Sequence, residues 1–304
     1  VLATIAIGEQ YLQPFMKYAY HTWEMYCHRH DLGLILFDED LISPDHPKWK
    51  KATWQKYIIA DVVSGSNLGI ENVCYLDTDI LISPIAPNIF NEHKSESVSV
   101  VSQFFNMPFE REEALRRIAF FRNRFFSKDY PLDSILFAKL DQLASFSSLP
   151  PQPDYACSGL FVFNVANLGS LLSEFFFSYD REILTPTDGG DELYFNYFVQ
   201  SNKLDNWLNY RYQSLWIYEV AMNYPFLYDI ENLDLSLVKK CIEASLLTNH
   251  FLHFAGSWNE SLVWKQVKVC NNPEALEIYA SFEDYLKTPV YGRPIGTIKP
   301  KEIS

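Results

Sequence analysis

The sequence predicts an α/β fold with a mostly parallel central sheet flanked by helices. Three observations carry this. Short apolar runs alternate with amphipathic helical stretches through the first third of the chain. The order strand, helix, strand, helix, strand implies a parallel sheet covered on both sides. The chain has 304 residues, 48% of them hydrophobic and 21% charged, which is a globular composition with ample material for a core.

The first strand is Leu2 to Ile7, an apolar run ended by Gly8. A helix follows over Gln13 to His30, with Phe15, Tyr18, Ala19, Thr22, Trp23 and Tyr26 spaced by threes and fours. Leu32 to Asp38 is the second strand and Trp54 to Ser64 the second helix. Asn72 to Ile82 reads as one continuous third strand. Met107 to Phe126, rich in Arg and Phe, and Asp133 to Ser145 read as helices, so residues 105 to 150 form a helical insertion or lid over the sheet. Two prolines, Pro150 and Pro151, end it. Ser158 to Val165 is a strand and Leu168 to Leu184 a Phe-rich helix. Asp191 to Gln200 opens as a helix with carboxylates in its first turn, and Asn249 to Ala255 is a last strand. The expected organisation is one domain over 1–285 and a peripheral tail over 286–304. No internal repeat is visible.

Composition excludes some functions. Twenty-five Lys and Arg against 38 Asp and Glu leave a net charge of −13, which is unsuited to a general nucleic-acid binder. No apolar run reaches the roughly 20 residues that a membrane helix needs. Five cysteines, Cys27, Cys74, Cys157, Cys241 and Cys270, are widely spaced with no CxxC; this fits reduced thiols in a cytoplasmic protein, with peripheral membrane association left open. No Gly-x-Gly-x-x-Gly follows the first strand, so a dinucleotide site of the usual type is not expected. Aromatic residues make up 16% of the chain. Most belong in a core, and a few are available to stack on a sugar or a base.

The chemistry concentrates in Tyr75-Leu76-Asp77-Thr78-Asp79-Ile80-Leu81-Ile82. Two carboxylates in an apolar run are costly to bury without a partner. On a strand they share one face, because the side-chain period is two, and this makes a seat for a divalent cation. The alternative is a strand that ends at Asp77, the two acids capping a turn. A two-Asp phosphatase of the haloacid dehalogenase kind also places paired Asp after a strand, but its pattern wants Thr or Val where Leu81 stands.

The Asp77-x-Asp79 pair resembles the DxD signature of GT-A glycosyltransferases. The resemblance extends in order along the chain. Trp54-Gln55-Lys56 resembles the element preceding DxD in retaining members, and Ser158 to Asn164 the middle strand motif. Gly190-Asp191-Glu192 to Asn196 resembles the helix that carries the residue nearest the reacting carbon, and His253-Phe254-Ala255-Gly256 the late His-x-x-Gly element. The chain is similar to glycosyltransferase family 8 and, less strongly, to family 34, over residues 1 to about 260. This implies a GT-A, Rossmann-like nucleotide-diphospho-sugar transferase fold. The implied activity is transfer of a hexose from a UDP-linked donor to a glycan or other hydroxyl acceptor, with retention, as in polysaccharide biosynthesis. Departures are Cys157, Glu192 and Asn259 where the family has Asn, Gln and Lys; they motivate a catalytically inactive nucleotide- or sugar-binding relative as the alternative.

The resemblance also implies roles. Asp77, Asp79 and His253 would hold Mn2+ or Mg2+, His253 being otherwise a satisfied buried histidine. Ala6, Ile7 and Gly8 would line the nucleobase, with Tyr11 stacking on it or packing at the helix entry. Lys56 would lie near the donor or else be a solvated helix lysine. Thr78, Gly159 and Gly256 complete the donor site. Asp191 and Glu192 are the catalytic candidates, or else the negative charge at a helix N-terminus. The 105–150 segment and the region from Trp207 to Trp216 are expected on the acceptor side.

Overall fold

A computed structural model describes residues 1–66, 68–125, 139–185, 187, 189–229 and 234–255. The expected tail, Gly256, Asn259 and Cys270 lie outside the described residues.

The elements in chain order are β1 (Leu2–Ile5), α1 (Glu9–Pro14), α2 (Tyr20–His30), β2 (Leu34–Phe37), α3 (Ala52–Gln55), α4 (Ile59–Gly65), β3 (Asn72–Leu76), β4 (Ile80–Ile82) and β5 (Val98–Val101). Then come α5 (Arg111–Phe125), α6 (Leu140–Ser147), β6 (Leu160–Asn164), α7 (Val165–Ser178), α8 (Glu192–Ser201), β7 (Asp205–Leu208), β8 (Ser214–Leu215), α9 (Trp216–Asn223), α10 (Leu235–Thr248) and β9 (Phe251–His253). Six strands form the main sheet in the order β2-β1-β3-β6-β5-β7, and β4-β9-β8 form a small second sheet. In the main sheet β1 is parallel to β2 and β3, β5 is parallel to β7, and β6 is antiparallel to both β3 and β5. Five strands therefore run one way and β6 alone is reversed. The carboxyl ends of β1, β3, β5 and β7 and the amino end of β6 all meet at one edge, where open α/β sheets bind ligands.

The predicted alternation is visible in how the sheet packs. Cys74, Leu76, Leu160 and Val162 enter one buried cluster with side chains of α2, α9 and α10, among them Trp23, Tyr218 and Leu246. Val73, Tyr75, Phe161 and Phe163 enter a second cluster with side chains of α4, α7 and α8, among them Ile59, Phe176 and Phe195. Successive residues on each strand face opposite layers, as a period of two requires. Most described aromatic rings are core: Tyr57 stacks on Phe161 and Phe195, with ring centroids 5.6 and 5.0 Å apart.

Two predicted elements are broken, one of them at the paired acids. The first helix is interrupted by a π-helical turn over Phe15–Ala19, immediately after Pro14; proline has no N–H to continue the α ladder. The strand predicted over Asn72 to Ile82 is two strands in two sheets, β3 and β4, joined by the turn Asp77-Thr78-Asp79. The two carboxylates therefore sit on a turn and not on one strand face, so the reading in which the strand ends at the acids describes the backbone correctly. In the predicted insertion, α5 packs on α9 and α6 on α8. Trp216, expected on the acceptor side, is wholly buried in the core and cannot serve as a sugar platform. Trp207 packs against the second cluster.

Candidate active site

The turn between β3 and β4 is held from several sides. The Asp77 amide donates to the Gly159 carbonyl at the start of β6 (2.8 Å), and the Phe254 amide donates to the Asp79 carbonyl (3.1 Å). From α2, Trp23 Nε1 donates to the Ile80 carbonyl (2.8 Å), and Thr22 Oγ1 accepts from the Ile82 amide (3.1 Å). β4 pairs antiparallel with β9 so that Ile80 lies opposite His253. This register brings a residue 174–176 positions later in sequence beside the two acids.

Asp77, Asp79 and His253 each offer one ligand atom, and these atoms lie within 4.8 Å of one another. His253 Nε2 is 3.1 Å from Asp79 Oδ1 and 3.9 Å from Asp77 Oδ2. It is wholly buried yet lacks a hydrogen bond of acceptable alignment. The carboxylates are partly open, with side-chain exposures of 38% for Asp77 and 18% for Asp79. An orphaned imidazole nitrogen beside two carboxylate oxygens is a donor set that fits a divalent cation. Asp77 Oδ1 also accepts from Tyr75 OH at 2.8 Å. Burial pushes the His253 ring toward its neutral form, but Asp79 and then Asp77 outweigh burial and raise its pKa. Burial raises the Asp77 carboxyl, opposed by Lys56 and His253.

Gly159 forms the wall of this cluster. A Cβ there would lie 2.4 Å from His253 Cε1 and 2.6 Å from Asp77 Oδ2. Only glycine lets the β6 backbone approach so closely.

Behind the turn lies a second buried group. Lys56 is 2% exposed, so it is not a solvated helix lysine. Its Nζ is 2.9 Å from Asp191 Oδ2 and donates to Ser158 O and Oγ, each at 2.9 Å. Tyr57 OH also donates to Asp191 Oδ2. Burial lowers the Lys56 pKa, but Asp191 and Asp77 outweigh it and hold the ammonium charged. Glu192 at the start of α8 accepts from the Ser158 amide and from Tyr155 OH, each at 3.0 Å. Burial raises its carboxyl, and Asp191 raises it further. The loop before Asp191 turns through Gly189 at φ +83°, a left-handed conformation natural to glycine, and Thr53 Oγ1 donates to the Gly189 carbonyl at 2.9 Å.

The structure thus brings Asp77, Thr78, Asp79, Gly159 and His253 together, with Lys56, Asp191 and Glu192 one layer behind, linked through Ser158. Ala6 is buried, Gly8 is exposed at φ +91°, and Tyr11 is 55% exposed on α1. Sequence reasoning missed Tyr75, Tyr57, Tyr155, Ser158 and Gln213. Tyr75 was legible, since it stands two residues before Asp77. Tyr155 and Gln213 touch the site only through the tertiary fold.

No protein-family model matches the chain, and comparison with curated proteins gives no match. Several solved structures are similar to it at low sequence identity. A glycosyltransferase involved in glycosylation of the major capsid of PBCV-1 is 8% identical, with 94% of this chain and 97% of that chain covered and a TM-score of 0.48. The galactosyltransferase LgtC, in complex with donor and acceptor sugar analogs, is 10% identical over 94% of this chain and 96% of its own, with a TM-score of 0.47. Mouse xyloside xylosyltransferase 1 is 11% identical over 84% of this chain and 97% of its own, with a TM-score of 0.38.

Proposed function

We propose that this chain is a metal-dependent glycosyltransferase that moves a hexose from a UDP-linked donor to a hydroxyl acceptor, with retention at the anomeric carbon. The observation that carries the reading is the convergence of Asp77, Asp79 and His253 at the carboxyl edge of the sheet, with the buried His253 Nε2 3.1 Å from Asp79 Oδ1 and 3.9 Å from Asp77 Oδ2. The ordered set of glycosyltransferase-like motifs supports the same reading, since it predicted all three residues.

Asp77, Asp79 and His253 would hold Mn2+ or Mg2+, which when bound neutralises charge on the departing diphosphate. Gly159 leaves room for that cluster. Gly8, at the end of the strand beside β3, and Tyr11 would take the nucleobase side. Asp191 is paired with Lys56, and Glu192 is anchored by the Ser158 amide and Tyr155. Both carboxyl groups lie behind the donor site, where negative potential would favour an oxocarbenium-like transition state.

A second reading is a nucleotide- or sugar-binding relative without turnover. It is favoured by one observation: the Asp191 carboxylate is already engaged by both Lys56 and Tyr57. One experiment separates the two. Purified protein is incubated with UDP-hexoses and Mn2+, and UDP release is followed in the wild type and in Asp79→Ala. We expect metal-dependent release that falls at least about a hundredfold in the variant. Undiminished release in Asp79→Ala contradicts the metal assignment. Metal-dependent UDP binding with no release from any donor selects the binding-only reading.

A further inference from the structure

His253 presents its two ring nitrogens to different surroundings. Nε2 faces Asp79 and Asp77. Nδ1 faces inward, 3.2 Å from Gln213 Nε2 and 3.8 Å from Cys157 Sγ. A neutral imidazole carries one proton and one lone pair. A histidine that ligates a cation through Nε2 must therefore carry its proton on Nδ1, and an acceptor must stand opposite. Gln213 is the side chain in that place. It is wholly buried, and in the orientation present its amide nitrogen faces Nδ1 while its Oε1 has no hydrogen-bond partner. Gln213 Oε1 is thus a buried acceptor left without a donor, an expensive arrangement. A half-turn about the last side-chain torsion exchanges Oε1 and Nε2 within nearly the same volume. Oε1 then accepts the Nδ1–H, and the Nε2 lone pair is left facing the carboxylates.

We infer that Gln213 is a positioning residue for the metal centre: with its amide oxygen turned to Nδ1, it holds His253 in the tautomer that offers Nε2 to a divalent cation. This rests on the metal reading proposed above. The placement of Gln213 suits the role. It immediately precedes β8, which pairs parallel with β9 so that Leu215 lies opposite His253. Its main-chain carbonyl accepts from Gln103 Nε2 at 3.4 Å, and the Gln103 amide in turn donates to the Tyr155 carbonyl at 2.8 Å. The backbone that carries the amide is therefore tied to both sheets.

Two measurements test this, neither of them catalytic. In protein loaded with Zn2+, a diamagnetic probe, long-range 15N–1H correlation at His253 should give a protonated Nδ1 and a bare Nε2. A proton on Nε2 overturns the inference. Mn2+ affinity, read by the loss of the free-ion electron paramagnetic resonance signal, should fall about 10- to 100-fold in Gln213→Leu, which has no acceptor. Gln213→Glu, which accepts but cannot donate, should stay within about threefold of the wild type. A folded Gln213→Leu with wild-type affinity overturns the inference and leaves the metal reading standing. Should Gln213→Leu not fold, loss of Mn2+ affinity in Gln213→Glu would overturn it instead. Wild-type protein that takes up no Mn2+ overturns the metal reading, and this inference with it.

Discussion

Gly159 leaves no room for a side chain. Its missing side chain is the space that His253 Cε1 and Asp77 Oδ2 occupy, and neither can retreat, since His253 is buried in β9 and Asp77 is held by Tyr75. We expect Gly159→Ala to cost about 1–3 kcal/mol in denaturant unfolding and to lower Mn2+ affinity at least about tenfold. Unchanged stability and affinity would contradict the packing described. Lys56 is governed by a different rule. It and Asp191 are a buried ion pair, and removing one partner strands the other charge. Lys56→Met should cost about 3–5 kcal/mol in urea unfolding, and combining it with Asp191→Leu should recover most of the loss. A single-variant cost below about 1 kcal/mol would mean the pair is not closed as described. Asp77 and Asp79 were legible in the sequence because two acids inside an apolar run are a conspicuous cost, whereas His253 was legible only through the resemblance of its His-x-x-Gly element. The burial of Lys56 was not, since a lysine in an amphipathic helix reads as solvated until its partner, 135 positions away, is known.

The element that seats the turn is α2. Trp23 and Thr22 are bound to β4 by hydrogen bonds, so the helix that reads as simple core packing also fixes where the chain passes from the turn into the second sheet. The break of the expected third strand was legible only as the alternative, because Ile80 to Ile82 are as apolar as Asn72 to Leu76, and only tertiary pairing sends them to different sheets. Helix α9 carries its own test. Glu219 is buried, and its Oε2 accepts from Asn223 Nδ2 (3.0 Å) and Ser245 Oγ (3.4 Å). Burial raises its carboxyl, and the hydrogen bonds only partly offset this. Since the folded value lies above the unfolded one, its contribution to stability is complete below the unfolded pKa and lost as pH rises through the folded pKa. Glu219→Gln should therefore unfold a few degrees higher than the wild type near neutral pH, with the gap closing toward roughly pH 4. A gap independent of pH would contradict the assignment.

At the scale of the whole molecule, the alternation of apolar runs and amphipathic helices was enough to predict a mostly parallel sheet between helical layers. The reversed β6 and the small second sheet were not legible, since strand direction is set by the connections and leaves no mark in a short apolar run. The proposed function depends on that second sheet. It returns His253 to the edge where β3 ends, and so turns a pair of acids into a cluster of three side chains that could hold a metal ion.

This cluster is tested most directly by a calorimetric titration with UDP, with and without Mn2+, on the wild type and on His253→Ala. We expect UDP to bind the wild type only with the metal, and His253→Ala to weaken this binding by about 10- to 100-fold. UDP binding that is equal with and without Mn2+, or that is unaffected by loss of His253, would contradict the metal-centred donor site.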